Sequence, residues 1–120
     1  MGDFQKLKVW QLSKEVAVEV YKLLESNMKL QRDFGLKDQI TRSAVSIASN
    51  IAEGDELDTV KQSIKHFYIA KGSTAELMTQ LIIAKEIETI PAKAADELIE
   101  KCNIISISLY KLIQARKKWI

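Results

Sequence analysis

Proline, glycine and cysteine are scarce in this 120-residue sequence, which contains one proline, four glycines and one cysteine. An all-β fold needs repeated turns built from proline and glycine, so their scarcity excludes that class and favours an all-α fold. A single cysteine excludes an intramolecular disulfide framework. Because Cys102 falls within an apolar helical pattern, we expect a buried thiol in a reducing compartment.

Long apolar runs are missing as well. No stretch approaches the roughly 20 residues that span a bilayer, and residues 1–8 lack the apolar segment of a signal peptide. We therefore expect a cytoplasmic protein that does not bind a membrane. The net charge of +2 and the pI of about 8.6 neither require nor exclude a nucleic-acid partner, since domains that bind phosphates usually have a pI above about 9.

Groups that could catalyse a reaction or bind a cofactor are few. The only histidine is His66, and no histidines or cysteines stand at metal-ligand spacing. Ser43, Ser46 and Ser49 lie among small residues without a glycine-rich elbow or a nearby base, so packing explains them better than nucleophilic catalysis. We predict no catalytic residue, no cofactor, no metal and no small-molecule substrate, and thus a protein that is not an enzyme.

Apolar periodicity predicts one domain, 1–120, with four helices at about 4–28, 37–53, 59–87 and 91–117. We expect Gly54 to stop the second helix, Thr59 and Gln62 to cap the third, and Pro91 to begin the fourth. Short connections predict an up-and-down four-helix bundle. The first helix has two adjacent apolar stripes, which indicates cover by another helix or another subunit.

The segment from Ser43 to Gly54 consists mostly of small residues, which let helix axes approach more closely than the usual distance of about 8–10 Å. The predicted helix-crossing or assembly residues are Ala44, Ile47, Ala48, Asn50, Ile51 and Gly72. Arg42, Glu53 and Glu76 are predicted to be structural polar residues. We expect a buried contact between Arg42 and a carboxylate of another helix or subunit, with Glu76 the more reachable partner.

Several motifs follow one another in a fixed order. They are Leu7-Lys8-Val9-Trp10-Gln11, Phe34-Gly35-Leu36, Arg42-Ser43-Ala44-Val45-Ser46-Ile47, Ser49-Asn50-Ile51-Ala52-Glu53-Gly54 and Ala75-Glu76-Leu77. Together they resemble the 23S ribosomal RNA intervening-sequence proteins, which are related to accessory proteins of diversity-generating retroelements. The resemblance implies a four-helix bundle that forms a ring-like homopentamer without enzymatic activity. It also implies relatedness to proteins that bind nucleic acid and a reverse transcriptase.

Each end of the predicted bundle has candidate nucleic-acid contacts. They are Lys22, Lys29, Arg32 and Lys37 at one end, and Arg116, Lys117 and Lys118, with Trp119, at the other. The acidic run Asp55-Glu56-Leu57-Asp58 is often basic in relatives, and we expect it to pair with the second group and repel phosphate. Two functions stay open: a non-catalytic homo-oligomer that binds nucleic acid or a nucleoprotein, and a scaffold that binds only protein.

Overall fold

The computed structural model describes residues 3–57 and 59–120, and every regular element within them is helical. A short 3₁₀ turn precedes five α-helices: α1 (Lys8–Glu25), α2 (Met28–Arg32), α3 (Phe34–Glu56), α4 (Val60–Glu86) and α5 (Ala92–Lys117). The predicted all-α fold is confirmed. Five α-helices replace the four predicted because the connection after the first helix contains the short helix α2, which Asn27, with an extended backbone, separates from α1. In the part of the chain described, no helix has the length and apolar character needed to cross a membrane.

The four long helices contact one another in a closed cycle, in which α1 packs on α3, α3 on α4, α4 on α5, and α5 on α1. Within the described residues, no Cα atom of α1 lies within 8 Å of a Cα atom of the diagonal helix α4. Helices α3 and α4 run antiparallel, since Ser46 and Asn50 of α3 bond to Ser73 and His66 of α4 respectively. Helices α4 and α5 are also antiparallel, since Tyr68 and Lys85 of α4 bond to Lys117 and Asp96 of α5 respectively. This is the up-and-down order that the short connections predict.

Side chains from all four long helices fill one core. The fully buried members include Val16, Val20, Ala44, Ile47, Ile51, Leu77, Leu81, Cys102, Ile105 and Leu109. The predicted crossing residues Ala44, Ile47 and Ile51 are therefore core residues, whereas Ala48 is only half-buried. Burial raises the pKa of the Cys102 thiol to about 12, and the predicted buried cysteine is confirmed.

Two helical glycines have roles different from those predicted. Gly54 does not stop α3, which continues to Glu56, and its backbone is helical rather than left-handed. A Cβ on Gly54 would lie 2.8 Å from Phe67 Cε1 and 3.1 Å from the Ser63 carbonyl oxygen, so Gly54 is a close crossing of α3 and α4. A Cβ on Gly72 would meet nothing within 4 Å. The prediction of a crossing at Gly72 is wrong within the chain, and a contact between copies there stays a prediction.

The turn between α4 and α5 uses a left-handed residue other than glycine. Glu88 has φ 60°, and its N–H donates to the Lys85 carbonyl at 3.0 Å while the Thr89 N–H donates to the Ala84 carbonyl at 2.9 Å. These two bonds form a Schellman motif, which ends α4 and directs the chain back along it. Pro91 is the N-cap of α5, so the helix begins at Ala92, one residue later than predicted.

Candidate nucleic-acid interface

One half of the α4–α5 hairpin has basic side chains and no acidic ones. Neither the segment from Val60 to Ala75 nor that from Lys101 to Ile120 contains Asp or Glu. Together they contain eight Lys or Arg residues: Lys61, Lys65, Lys71, Lys101, Lys111, Arg116, Lys117 and Lys118. Because α4 and α5 are antiparallel neighbours, the two segments lie side by side at one end of the bundle.

Two of the eight cations are paired with carboxylates of other helices. Lys101 donates a hydrogen bond to Glu19 of α1, which raises the pKa of Lys101. Arg116 Nη2 lies 2.9 Å from Asp55 Oδ1 of α3, and these side chains are only 11% and 4% exposed. The Arg116 guanidinium also lies over the Phe67 ring, 5.3 Å from its centroid.

This geometry corrects the predicted role of Arg116. Its guanidinium is held inside the protein by Asp55, so it is not available to a phosphate. The expected pairing between the acidic run and the basic C-terminal residues does occur at Asp55, but as a buried pair rather than an exposed one. Asp58, another acidic residue of that run, lies outside the described residues.

The other six cations have no ion-pair partner among the residues that the structure describes. They are Lys61, Lys65, Lys71, Lys111, Lys117 and Lys118. Lys61 and Lys65 are one helical turn apart, and Tyr68 follows three residues later, so all three side chains share the outer face of α4. Lys117 of α5 reaches the same place, since its Nζ lies 3.0 Å from the Tyr68 hydroxyl.

Exposed aromatic side chains accompany these lysines. Tyr68, Tyr110 and Trp119 are 48%, 56% and 66% exposed. We define the basic face as Lys61, Lys65, Tyr68, Lys71, Tyr110, Lys111, Lys117 and Lys118. Lysines can hold phosphates by releasing condensed counterions, and exposed aromatic rings can stack on unpaired bases. The basic face therefore combines the two kinds of side chain, cationic and aromatic, that bind single-stranded nucleic acid.

The opposite end of the bundle is mixed in charge. Lys22 and Arg32 are exposed, Lys29 Nζ lies 3.5 Å from the Glu88 carbonyl oxygen, and Lys37 lies over the Phe34 ring at 4.8 Å. Acidic residues alternate with these lysines and arginines in the sequence: Glu25, Asp33, Asp38, Glu86 and Glu88. The predicted contacts at this end consequently lie in a nearly neutral surface.

The predicted structural polar residues are exposed. Arg42 is 79% exposed and pairs with Asp38 one turn earlier at 3.2 Å, so the prediction that it is buried within the chain is wrong. Glu53 lies at the surface, 3.7 Å from His66. Glu76 is exposed and has no ion-pair partner in the described residues. The buried Arg–carboxylate pair of this fold is instead formed by Arg116 and Asp55.

Polar side chains form a hydrogen-bonded seam between α3 and α4. Ser46 Oγ lies 2.9 Å from Ser73 Oγ, and Asn50 Nδ2 donates to Ser46 Oγ at 3.0 Å. Asn50 Oδ1 lies 3.1 Å from His66 Nδ1. The predicted crossing residue Asn50 thus lies at the α3–α4 contact, where its amide links the two helices.

The sequence-based reasoning missed Lys61, Lys65, Lys71 and Lys111, and it also missed Tyr68 and Tyr110. The signal that could have found them is the lack of acidic residues in two separate stretches of the sequence. Each stretch alone looks like an ordinary solvated helix surface. Only the antiparallel packing of α4 on α5 brings the two stretches together into one face.

Comparisons with known proteins agree with the helical architecture. The family model described as 23S rRNA-intervening sequence protein matches residues 5–111. A solved structure of a protein of unknown function from the S23 ribosomal protein family of Bacteroides thetaiotaomicron is similar, with a TM-score of 0.79 and 27% sequence identity. That similarity covers 88% of this chain and 97% of the other. No curated protein matches the chain.

Proposed function

We propose that this chain, which belongs to the 23S rRNA-intervening sequence protein family, is a non-catalytic, ring-forming homo-oligomer that binds nucleic acid through its basic face. The observation that carries the proposal is the group of six lysines without ion-pair partners in the described residues, on a half-hairpin that has no carboxylate of its own. Tyr68 and Tyr110 lie among these lysines and supply stacking surfaces.

The uneven distribution of charge supports this proposal better than the net charge does. A net charge of +2 is small, yet all sixteen Asp and Glu residues lie outside the two segments 60–75 and 101–120, which contain eight of the eighteen Lys and Arg residues. Asp55 no longer opposes phosphate binding, because Arg116 neutralises it inside the protein. A ring would repeat the basic face once per subunit, so that one nucleic-acid strand could contact several copies.

The alternative function is a scaffold that binds only protein. The observation in its favour is the row of exposed apolar side chains on α4, which includes Ile69 and Ile83. A partner that combines both possibilities, a nucleoprotein such as a reverse transcriptase with its nucleic acid, follows from the resemblance to retroelement accessory proteins. Such a partner would use the basic face for the nucleic acid and the apolar row for the protein.

Fluorescence anisotropy with labelled single-stranded and hairpin RNA and DNA tests nucleic-acid binding, repeated between about 50 and 200 mM salt. We expect Lys61→Ala with Lys65→Ala to weaken binding and to reduce the slope of log K against log salt by about 1.4 on a single strand, since each phosphate contact contributes about 0.7. The matched control is Lys22→Ala with Lys29→Ala, which removes the same charge at the other end and should leave binding nearly unchanged.

Stacking is tested separately at Tyr68. Tyr68→Ala should weaken binding by about 1–3 kcal/mol if a base stacks there, and Tyr68→Phe should retain most of the affinity because the ring remains. Binding that is absent, or that does not depend on salt, would contradict the nucleic-acid proposal and favour the protein scaffold. If the double variant at Lys61 and Lys65 and the control at Lys22 and Lys29 lose equal affinity, the basic face has no special role in nucleic-acid binding.

Assembly is tested by light scattering on the purified protein. A pentamer of the 13.6 kDa chain has a mass of about 68 kDa. A monomeric mass at micromolar concentration would contradict the homo-oligomer, and a different multiple would keep the oligomer but refute the pentamer.

A further inference from the structure

Helices α4 and α5 each contribute one exposed tyrosine to the boundary between them, Tyr68 and Tyr110. Lys117 of α5 donates a hydrogen bond to the Tyr68 hydroxyl at 3.0 Å, so the side of α5 that carries Lys117 faces Tyr68. Tyr110 precedes Lys117 by seven residues, which is close to two helical turns of about 3.6 residues each. Tyr110 and Lys117 therefore share one side of α5, and both tyrosines lie along the same boundary.

The two tyrosines lie at different heights along the bundle. Lys117 contacts Tyr68, and the Arg116 guanidinium lies over the Phe67 ring, so residues 67–68 of α4 are level with residues 116–117 of α5. Tyr110 is seven residues, or about 10 Å, farther from that end of the bundle. Because stacked nucleotides of one strand repeat about every 3.4 Å, about three nucleotide steps separate Tyr68 from Tyr110.

Lysines accompany the two rings along this boundary. Lys71 is three residues beyond Tyr68 in the direction of Tyr110, and Lys111 follows Tyr110 directly. Neither lysine has an ion-pair partner in the part of the chain that the structure describes. We define the tyrosine path as Tyr68, Lys71, Tyr110, Lys111 and Lys117. It is the part of the basic face in which cations and aromatic rings alternate along the helix axes.

Carboxylates limit the length of the tyrosine path. The part of α4 that lacks them, residues 60–75, is about 22 Å long at about 1.5 Å per residue. At about 3.4 Å per nucleotide, this length corresponds to about seven nucleotides of one strand. Glu76 on α4 and Glu100 on α5 follow beyond it, and their negative charge would repel the phosphates of a longer contact.

The two tyrosines distinguish an unpaired strand from a duplex. Neighbouring base pairs cover the faces of the bases in a duplex, and only the base edges are open in its grooves. A duplex can therefore contact the lysines through its phosphates, but it cannot stack bases on the rings. An unpaired strand offers both its phosphates and its base faces.

We propose that the tyrosine path binds an unpaired nucleic-acid strand lengthwise, with one base stacked on Tyr68 and another, about three nucleotides away, stacked on Tyr110. The lysines of the path neutralise the phosphates between these two bases. This inference rests on the proposed nucleic-acid binding and specifies its ligand as single-stranded RNA or DNA, which share the same phosphates and base faces.

Abasic strands separate stacking from charge, because they keep the phosphates and lack the bases. Fluorescence anisotropy compares oligothymidylate, an abasic deoxyribose strand and a blunt duplex at about 50 mM salt, each about eight nucleotides long so that one strand covers one tyrosine path. We expect wild-type protein to bind oligothymidylate most tightly. Tyr68→Ala and Tyr110→Ala should each weaken that binding roughly 5- to 150-fold, and neither should change the affinity for the abasic strand.

Phe34→Ala is the matched control variant. Phe34 is also an exposed aromatic residue, but it lies at the other end of the bundle, outside the basic face. This variant should bind oligothymidylate as the wild type does. A misfolded variant would lose affinity for the abasic strand as well, so loss of stacking is recognised by an unchanged affinity for that strand.

Oligouridylate tests the ribose strand in the same assay. Dependence of binding on both tyrosines with either strand supports the proposal, and the strand that binds more tightly identifies the ligand. The combined Tyr68→Phe and Tyr110→Phe variant should keep most of the affinity for that strand, because both rings remain.

The outcomes separate the tyrosine path from nucleic-acid binding in general. If wild-type protein binds none of these ligands, the proposed nucleic-acid binding itself is refuted. If it binds the abasic strand or the duplex as tightly as oligothymidylate, nucleic-acid binding stands and the stacking path is overturned. A loss at Tyr68→Ala with none at Tyr110→Ala would also overturn the path, because a strand lying along both helices must use both rings.

Discussion

Replacing Gly54 with alanine should destabilise the protein through a clash between α3 and α4. The new Cβ would lie 2.8 Å from Phe67 Cε1, whereas carbon atoms in contact normally lie about 3.5–4.0 Å apart. Phe67 is fully buried beneath Arg116, and the Ser63 carbonyl oxygen at 3.1 Å belongs to the backbone, so neither neighbour can move cheaply. Overpacking of this kind typically costs about 1–3 kcal/mol.

Alanine also favours the helix over glycine by up to about 1 kcal/mol, which partly offsets the clash. Gly72→Ala provides the control, because Gly72 is helical too but has open surroundings. The gain in helix propensity is common to both changes, so the difference in the free energy of unfolding between the two variants measures the clash alone. We expect Gly54→Ala to be less stable than Gly72→Ala by about 1–3 kcal/mol.

Urea denaturation followed by far-UV circular dichroism measures this difference. Both variants are compared at the same protein concentration, because any association of copies makes the measured stability depend on concentration. The corresponding difference in melting temperature is roughly 4 °C per kcal/mol for a domain of this size. If the two alanine variants gain stability equally, α3 and α4 do not cross closely at Gly54, and the assignment of its role is wrong.

Three further measurements test other parts of the structure. Asp55→Ala should destabilise the fold by about 3 kcal/mol because it leaves Arg116 buried without its counter-charge, and adding Arg116→Met should recover much of that loss in a thermal melt. Glu88→Gly should raise the free energy of unfolding by roughly 1 kcal/mol in urea, since φ 60° strains any residue except glycine; an unchanged or lower stability would refute this. Burial raises the pKa of Cys102 to about 12, so its thiolate fraction at pH 8 is roughly a thousandfold below that of a free thiol. Iodoacetamide should therefore label folded protein far more slowly than protein in urea, and equal rates would contradict the buried thiol.

Periodic apolar patterns predicted the core of this fold well, because core positions depend mainly on residues near in sequence. Ala44, Ile47 and Ile51 are buried as their spacing requires, and Thr59 accepts the predicted capping bond from the Gln62 N–H at 3.2 Å. The end of α3 was not predictable in this way. Glycine is common both beyond a helix end and at a helix crossing, and Gly54 is at a crossing.

Polar partners distant in sequence were the hardest features to predict. Asp55 remains inside α3, where it is paired with Arg116, 61 residues away. The order of the helices predicted that these two ends of the sequence meet, but the sequence around Asp55 does not indicate that the pair is buried. Arg42 was expected to be the buried cation, but it lies on the outside of α3. The basic face likewise depends on which half of α4 meets which half of α5. These features follow from the packing of the helices, which local periodicity does not determine.

The seam of Ser46, Asn50, His66 and Ser73 determines how far α3 can slide along α4. Contacts between small residues tolerate sliding, because one alanine or serine resembles the next, whereas the bonds Ser46–Ser73 and Asn50–His66 each require one partner at one height. A slip by one helical turn, about 5.4 Å, would break both of these bonds. It would also move Gly54 away from Phe67 by the same distance, so that a larger residue of α3 would meet the ring. The seam acts as a ruler between α3 and α4, and it keeps the glycine opposite the phenylalanine.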